Sequence, residues 1–342
     1  MMIIVIAASL HGENLRVMNT RTHSMNWRGL LKTTAEFGLL AAMTLAALAH
    51  VSASSNRAKA SRGSEGNESS VKTNPLKPPA RGSIPVAFLI YEGAQVIDFT
   101  GPWEVLQDVM VPGRTDHPFR LYTVSESASP IHTSGGMKII PDYTFENGPA
   151  PKVIVIPAQS RPSEATLEWI RKSTKTTDVT MSVCTGAFVL AKTGLLSGKA
   201  ATTYHGAFVP FSIQFPDIQL KRGARFVEDG NLATAGGLSS GIDLAFRVVE
   251  RYFGREVAQQ TAYDMEYQGL GWMNPDSNQV YAAKPVSTTE HPVCPVCGMD
   301  VDPATAPKSI FKGTTYYFCS DNDKKTFDAT PDKFVKTDKK SL

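Results

Sequence analysis

The sequence predicts an α/β protein: an open, doubly wound, mostly parallel sheet, followed by a small C-terminal metal-binding α+β domain. Three observations predict it. Continuous apolar runs such as Pro85–Tyr91 (PVAFLIY) and Val153–Pro157 (VIVIP) suit strands buried on both faces of a parallel sheet. Helical stretches alternate with such runs from Ile84 to Gln268. Of the four cysteines, Cys184 stands alone while Cys294, Cys297 and Cys319 cluster near the end, which argues for two separate chemistries rather than a disulfide framework.

With 342 residues, 42% of them hydrophobic, the chain is long enough for two units plus extensions. A net charge of +3 with no basic, aromatic-interleaved stripe points away from nucleic acid as a partner.

Taken in order, residues 1–53 read as an N-terminal extension holding a signal peptide or anchor. Arg28 and Lys32 precede the apolar run Phe37–Ala49, and small residues follow it. The run is short for a membrane span. Export to the periplasm or medium follows, with a membrane tether the alternative. Residues 54–82 are polar and rich in Ser, Gly and Pro, the composition of a disordered linker. The α/β domain covers 83–270. Its first strand, Pro85–Tyr91, leads to Asp98 and a helix in which Pro102 suits the first turn. Phe119–Ser125 is the second strand, and Ile131–Phe145 pairs around Gly135-Gly136. Val153–Pro157 is a strand, and Ser163–Thr174 is a helix with Leu167 and Ile170 inward. A strand from Val179, an abrupt turn at Cys184 and a helix follow, then a strand at Ala200–Tyr204. An edge hairpin turns at Asp229-Gly230-Asn231, and Ser240-Gly241-Ile242-Asp243 reads as a capping box opening a helix to Phe253. A second linker spans 271–290, and the small domain 291–338.

Ligands in such sheets sit at the carboxyl ends of the strands, where Asp98 and Cys184 both fall. A cysteine at a strand–turn–helix elbow sits beside backbone donors and a helix N-terminus, which favours its thiolate. The alternative is a small buried cysteine that packs like Ala. A nucleophile also needs an acid/base partner. Asp98, flanked by apolar residues, offers a protonatable carboxyl, or else a plain helix N-cap. His205, ending the strand after the elbow helix, pairs with the thiol or is an ordinary part-buried histidine. Thr185 adds a hydroxyl and an N–H beside the sulfur.

Three stretches, IDFTGPWEVL, VCTGAFVLAKTGLLSGKAATT and LATAGGLSSGIDLAF, in this order, resemble the PfpI-type class I glutamine-amidotransferase-like superfamily. The nearest branch is that of isonitrile hydratase and the sensor domains of AraC-type regulators. The resemblance implies a flavodoxin-like sheet, no cofactor, a small-molecule substrate or ligand and a homodimer. It gives Cys184 the nucleophile's part, Asp98 the general acid/base part, and Thr185 a supporting one. Where the family has Pro-Gly-Gly, this chain has Pro157-Ala158-Gln159, so Ala158 and Gln159, with Thr185, are the backbone donors it implies for an oxyanion hole. Where many relatives carry a histidine, this chain has Tyr204 with His205 one residue later. A Cys184–Asp98 pair therefore fits better than Cys184–His205.

In the last unit, the C-x-x-C of Cys294 and Cys297 precedes Cys319, with Asp323 four residues on where a fourth zinc-type ligand is expected. A redox-active or disulfide-bonded C-x-x-C is the alternative. CGMDVDPATAPKSIFKGTTYYFCS and KKTFDATPDKFV resemble the YHS domain, which implies a bound metal, copper or zinc. Met299 is an added soft ligand or a small core residue. The functional expectation is an exported isonitrile hydratase-like enzyme or related hydrolase with a metal-binding appendage. Its alternatives are a non-catalytic sensor of the same fold and a thiol-based stress-defence protein.

Overall fold

The protein was analysed as a computed structural model that describes residues 74–283 and 286–335. The expected signal peptide or anchor and most of the first linker lie outside the described residues. No helix among those described is long and apolar enough to cross a membrane.

Strand β1 (Ile84–Leu89) forms the middle of the sheet because both its faces are apolar. Val86, Phe88 and Ile90 enter one hydrophobic cluster, and Ala87 and Leu89 enter the other. The period-two alternation of a strand thus feeds two cores. Around it stand β2 (Phe119–Ser125), β5 (Tyr143–Thr144), β6 (Val153–Ile156), β7 (Val179–Ser182), β10 (Phe226–Asp229) and β11 (Leu232–Ala235), in the order β10-β11-β7-β6-β1-β2-β5. All neighbours pair in parallel except β10 with β11, the expected edge hairpin. The short pairs β3 (Ile131–His132) with β4 (Lys138–Ile139), and β8 (Ala200–Ala201) with β9 (Gln219–Leu220), stand outside this sheet. The fold is the mixed, mostly parallel α/β sheet that the sequence predicts.

Helices α1 (Val96–Gln107), α5 (Ser240–Phe253) and α6 (Arg255–Asp264) cover the first core. Helices α2 (Glu164–Thr174), α3 (Gly186–Lys192) and α4 (Phe208–Gln214) lie over the second. Leu167 and Ile170 of α2 point inward, and Ser163 caps it by accepting from the Thr166 N–H.

Local readings fail where tertiary partners outbid them. Helix α1 starts at Val96, not at Pro102, which lies inside it. Ser134 Oγ accepts from the Val96 N–H at 3.2 Å, so an orphan donor of the first turn is met from a neighbouring loop. The Ser240–Asp243 capping box does not form. Ser239 is the N-cap but its side chain caps no helix N–H, and Asp243 accepts instead from Arg225 Nε at 2.6 Å and from the Tyr267 hydroxyl at 3.1 Å. The strand expected at Ala200–Tyr204 stops at Ala201.

In the C-terminal domain, β12 (Lys308–Phe311) and β13 (Thr314–Tyr317) form a hairpin turned by Lys312 and Gly313, both at positive φ. Helix α7 (Asp321–Ala329) packs Phe327 on Phe318 and Cys294.

Candidate functional site

The elbow follows from where β7 ends. Cys184 has φ +58, a left-handed conformation that a non-glycine residue holds only when its surroundings enforce it. They do so with three hydrogen bonds. The Cys184 N–H donates to Gly236 O at 2.9 Å, its carbonyl accepts from Thr203 Oγ1 at 2.9 Å, and the preceding Val183 N–H donates to Ile156 O at 2.9 Å. Gly186 lets α3 start against the end of β6, since a Cβ there would run into the carbonyl oxygens of Ile156 and Pro157.

The side chain of Cys184 is buried, and its surroundings correct one expectation. The N–H groups of Thr185 and Leu238 and the Thr185 hydroxyl all favour the charged sulfur. Burial and the charge of Asp98 act more strongly and push the thiol up to about 11. At neutral pH the group is a thiol, not the thiolate that the helix N-terminus alone suggests.

Asp98 sits in the first turn of α1 with none of its surface exposed. It does not cap its helix. Its Oδ2 accepts from the Ala158 N–H at 3.0 Å, and its Oδ1 is buried with no partner among the described residues. Burial pushes this carboxyl from near 3.8 up to about 7, with the Ala158 N–H pulling the other way. Asp98 and Cys184 therefore form an electrostatically linked pair of buried acids.

Of the two backbone donors expected at Ala158 and Gln159, one is already engaged. The Ala158 N–H is engaged by Asp98. The Gln159 side chain clips the end of β1, accepting from the Tyr91 N–H at 2.9 Å and donating to Leu89 O at 3.1 Å. The donors that do face the sulfur are Thr185 and Leu238. Leu238, at φ +46, follows Gly236-Gly237. That glycine pair was the available signal for the second donor, and its role depends on a fold contact that composition cannot reveal.

His205 begins a 3₁₀ turn, and its ring lies against two tyrosines. It stacks on Tyr281 with centroids 4.4 Å apart and touches Tyr204 at 4.5 Å. Tyr204 lies over Gly237, where an added Cβ would approach its ring to 2.7 Å.

The second cluster forms as the cysteine spacing predicts. One ligand atom each from Cys294, Cys297, Cys319 and Asp323 lies within 4.8 Å of the others. Cys297 Sγ is 3.4 Å from Cys319 Sγ, and Asp323 Oδ2 is 3.4 Å from Cys294 Sγ and 3.3 Å from Cys319 Sγ. The turn after Cys294 closes through Gly298, at φ +81, whose N–H donates to Cys294 O at 2.8 Å. Ser320 caps α7 and so sets Asp323 in its first turn. All four cysteines are free in the structure. Met299 is half exposed, so it is not a core residue. Three cysteine sulfurs and a carboxylate grouped this closely suit a tetrahedral ion, for which ligand sulfurs stand roughly 3.8 Å apart at a Zn–S length of about 2.3 Å.

A parallel sheet with a cysteine on a strained strand-to-helix turn and a buried carboxyl beside it defines a cysteine-elbow protein of the doubly wound class. The DJ-1/PfpI family model matches residues 85–251 and the YHS domain model matches 293–338. The chain belongs to the DJ-1/PfpI family and carries a C-terminal YHS domain. Isonitrile hydratase of Pseudomonas putida is 33% identical over 190 residues, covering 54% of this chain and 79% of that protein. The HTH-type transcriptional regulator CdhR of Pseudomonas aeruginosa is 26% identical over 180 residues, covering 51% and 52%. The crystal structure of a ThiJ/PfpI family protein from Pseudomonas syringae gives a TM-score of 0.49 at 24% identity, covering 64% and 84%.

Proposed function

We propose that the chain hydrates an isonitrile to an N-substituted formamide at Cys184, with Asp98 as the proton-transfer group. The observation that carries this reading is the unpartnered, buried Oδ1 of Asp98, on a carboxyl raised to about 7 and coupled to the Cys184 thiol. A group poised near neutrality is suited to both taking and giving a proton.

In the proposed reaction, Asp98 accepts the thiol proton as sulfur attacks the terminal isonitrile carbon, and passes it to that carbon. A C–S bond and a C–H bond form, giving an S-bound thioimidate. Water adds to the same carbon, one of its protons goes to nitrogen, and the other passes to the sulfur as the C–S bond breaks. The formamide leaves and the thiol is restored, so one isonitrile and one water give one formamide. Thr185 and Leu238 N–H groups hold the sulfur in place.

The experiment is turnover of an isonitrile panel by the purified chain, Cys184→Ala and Asp98→Asn, with formamide read by NMR. Formamide from the wild type alone supports the reading, and equal turnover by Cys184→Ala sinks it.

A second reading is a non-catalytic binding protein of the same fold. It is favoured by the engagement of the Ala158 N–H, which removes one oxyanion donor. Absence of turnover with retained isonitrile or formamide binding would select it.

The YHS cluster is proposed to hold zinc or copper, with zinc the better match because a carboxylate is a harder donor than copper(I) prefers. Cys294, Cys297, Cys319 and Asp323 would hold it, and the ion would supply folding stability to the small domain. Export, a homodimer and the domain limits 83–270 and 291–338 belong to the same proposal. N-terminal sequencing of the mature chain and sedimentation analysis test the first two, and limited proteolysis the third.

A further inference from the structure

The parallel ladder between β1 and β6 is interrupted just where the site begins. In such a ladder the residue opposite Ile90 donates its N–H to Leu89 O and accepts from the Tyr91 N–H. The register Phe88↔Val155, carried two residues on, puts Pro157 at that place, and proline has no N–H to give. The half-buried side chain of Gln159 makes both bonds instead. Its Oε1 accepts from the Tyr91 N–H at 2.9 Å, and its Nε2 donates to Leu89 O at 3.1 Å. Glycine, the residue that the resemblance puts at this position, could make neither side-chain bond.

What this clip holds in place is its neighbour. The Ala158 N–H donates to Asp98 Oδ2 at 3.0 Å, and Ala158 O accepts from the Gln95 N–H at 2.7 Å. The Asp98 N–H closes the loop on Gln95 O at 3.1 Å. On the other side of Gln159, one further backbone bond, Ser160 N–H to Glu92 O at 3.0 Å, ties the segment down. A carboxyl rotates readily about its last torsion, so its two oxygens are distinguished only by what they bond. The Ala158 N–H takes Oδ2. It leaves Oδ1, buried and without a partner among the described residues, as the oxygen available to a proton.

We infer that Gln159 is a positioning residue: its side chain stands in for the missing Pro157 N–H, holds the Ala158 N–H on Asp98 Oδ2, and so fixes Oδ1 as the oxygen that carries the proton. The inference rests on the proposed role of Asp98 and gives that role a support outside the reacting groups. It also explains why the Ala158 N–H serves the carboxyl rather than an oxyanion. Burial and this N–H act on Asp98 in opposite directions, the N–H favouring the charged form. Loosening it should therefore push the carboxyl higher still. The titratable neighbour of Asp98 is the Cys184 thiol, which, near 11, keeps its proton through the range in which Asp98 titrates.

The test follows the Asp98 carboxyl carbon by NMR in the full chain as pH is varied, the resonance being assigned by its loss in Asp98→Asn. Gln159→Met keeps the length and bulk of the side chain but makes neither bond. Gln159→Asn keeps the amide but is a methylene too short to span both partners, and it guards against a folding failure of the first variant. Each should raise the Asp98 midpoint by about one pH unit, the worth of one hydrogen bond to a carboxylate. Thermal midpoints identify which variants are folded. A clip that only stabilises the fold would lower the thermal midpoint and leave the titration where it is. A folded variant in which Asp98 titrates as in the wild type therefore overturns the inference. Isonitrile turnover measured alongside separates the two readings. A raised Asp98 midpoint in the variants, with no turnover by the wild type, leaves the clip standing and defeats the hydration; turnover with an unmoved Asp98 does the reverse.

Discussion

Asp98→Asn is the sharpest probe of the site's electrostatics. The carboxyl, ordinarily near 3.8, is pushed by burial up to about 7. The native state therefore disfavours the ionised form by about 4 kcal/mol. The folded value lies above the unfolded one. The penalty is absent below 3.8, grows as pH rises, and is complete above 7. About 2 to 3 kcal/mol of it falls between pH 5 and pH 8.5. Asn keeps an acceptor for the Ala158 N–H but sets an amide where Oδ1 has no partner, which costs about 1–3 kcal/mol at every pH. Relative to the wild type, the variant should thus gain about 2 to 3 kcal/mol between pH 5 and pH 8.5. Urea unfolding followed by the fluorescence of Trp103, Trp169 and Trp272 measures this at the two pH values. A difference between the two proteins that stays constant within about 0.5 kcal/mol would refute the raised carboxyl.

Alkylation of the Cys184 peptide by iodoacetamide at pH 7 should run roughly a hundredfold below that of an ordinary cysteine, because only thiolate reacts and this thiol sits near 11. The rate should climb about tenfold per pH unit and be faster in Asp98→Asn, which removes a charge opposing ionisation; fast, pH-independent modification at pH 7 contradicts the assignment. Gly186→Ala should destabilise the α/β domain by about 3 kcal/mol or fail to fold, since its Cβ meets the Pro157 carbonyl oxygen at 2.8 Å; a thermal midpoint within a degree or two of the wild type would show that α3 can retreat from β6. Cobalt(II) titration of the full chain should give a sulfur-to-cobalt charge-transfer band saturating at one equivalent, displaced by zinc. Cys319→Ser should weaken binding by at least about tenfold, and a band that survives removal of Cys297 and Cys319 together would dismiss the site.

Much of the fold was legible because strands and helices declare themselves through period. The β1 run predicts burial on both faces, and the position of Asp98 and Cys184 at strand ends follows from the winding of the sheet. The metal cluster was legible for a different reason, since ligand spacing is local on both halves and only the hairpin between them needs to fold back. The failures share one cause. Asp98 meets Ala158 across 60 residues of sequence, and Asp243 meets Arg225 across 18, so a local cap pattern says nothing about which partner wins. For the thiol, helix-end donors are readable in sequence whereas burial, which the packed-cysteine alternative required, is not. Burial is the larger effect here.

That larger effect bears on which reaction suits the site. Acyl transfer from an amide needs a thiolate at the outset and free donors for a developing oxyanion. Here the sulfur holds its proton, and the Ala158 N–H is bound to Asp98. Addition across an isonitrile carbon has the opposite demand, because that carbon must gain both a sulfur and a hydrogen. A buried thiol beside a carboxyl near neutrality supplies both without drawing a proton from bulk water. The features that would handicap an amidase are therefore the ones that favour the proposed hydration, in which Asp98 rather than a histidine carries the proton.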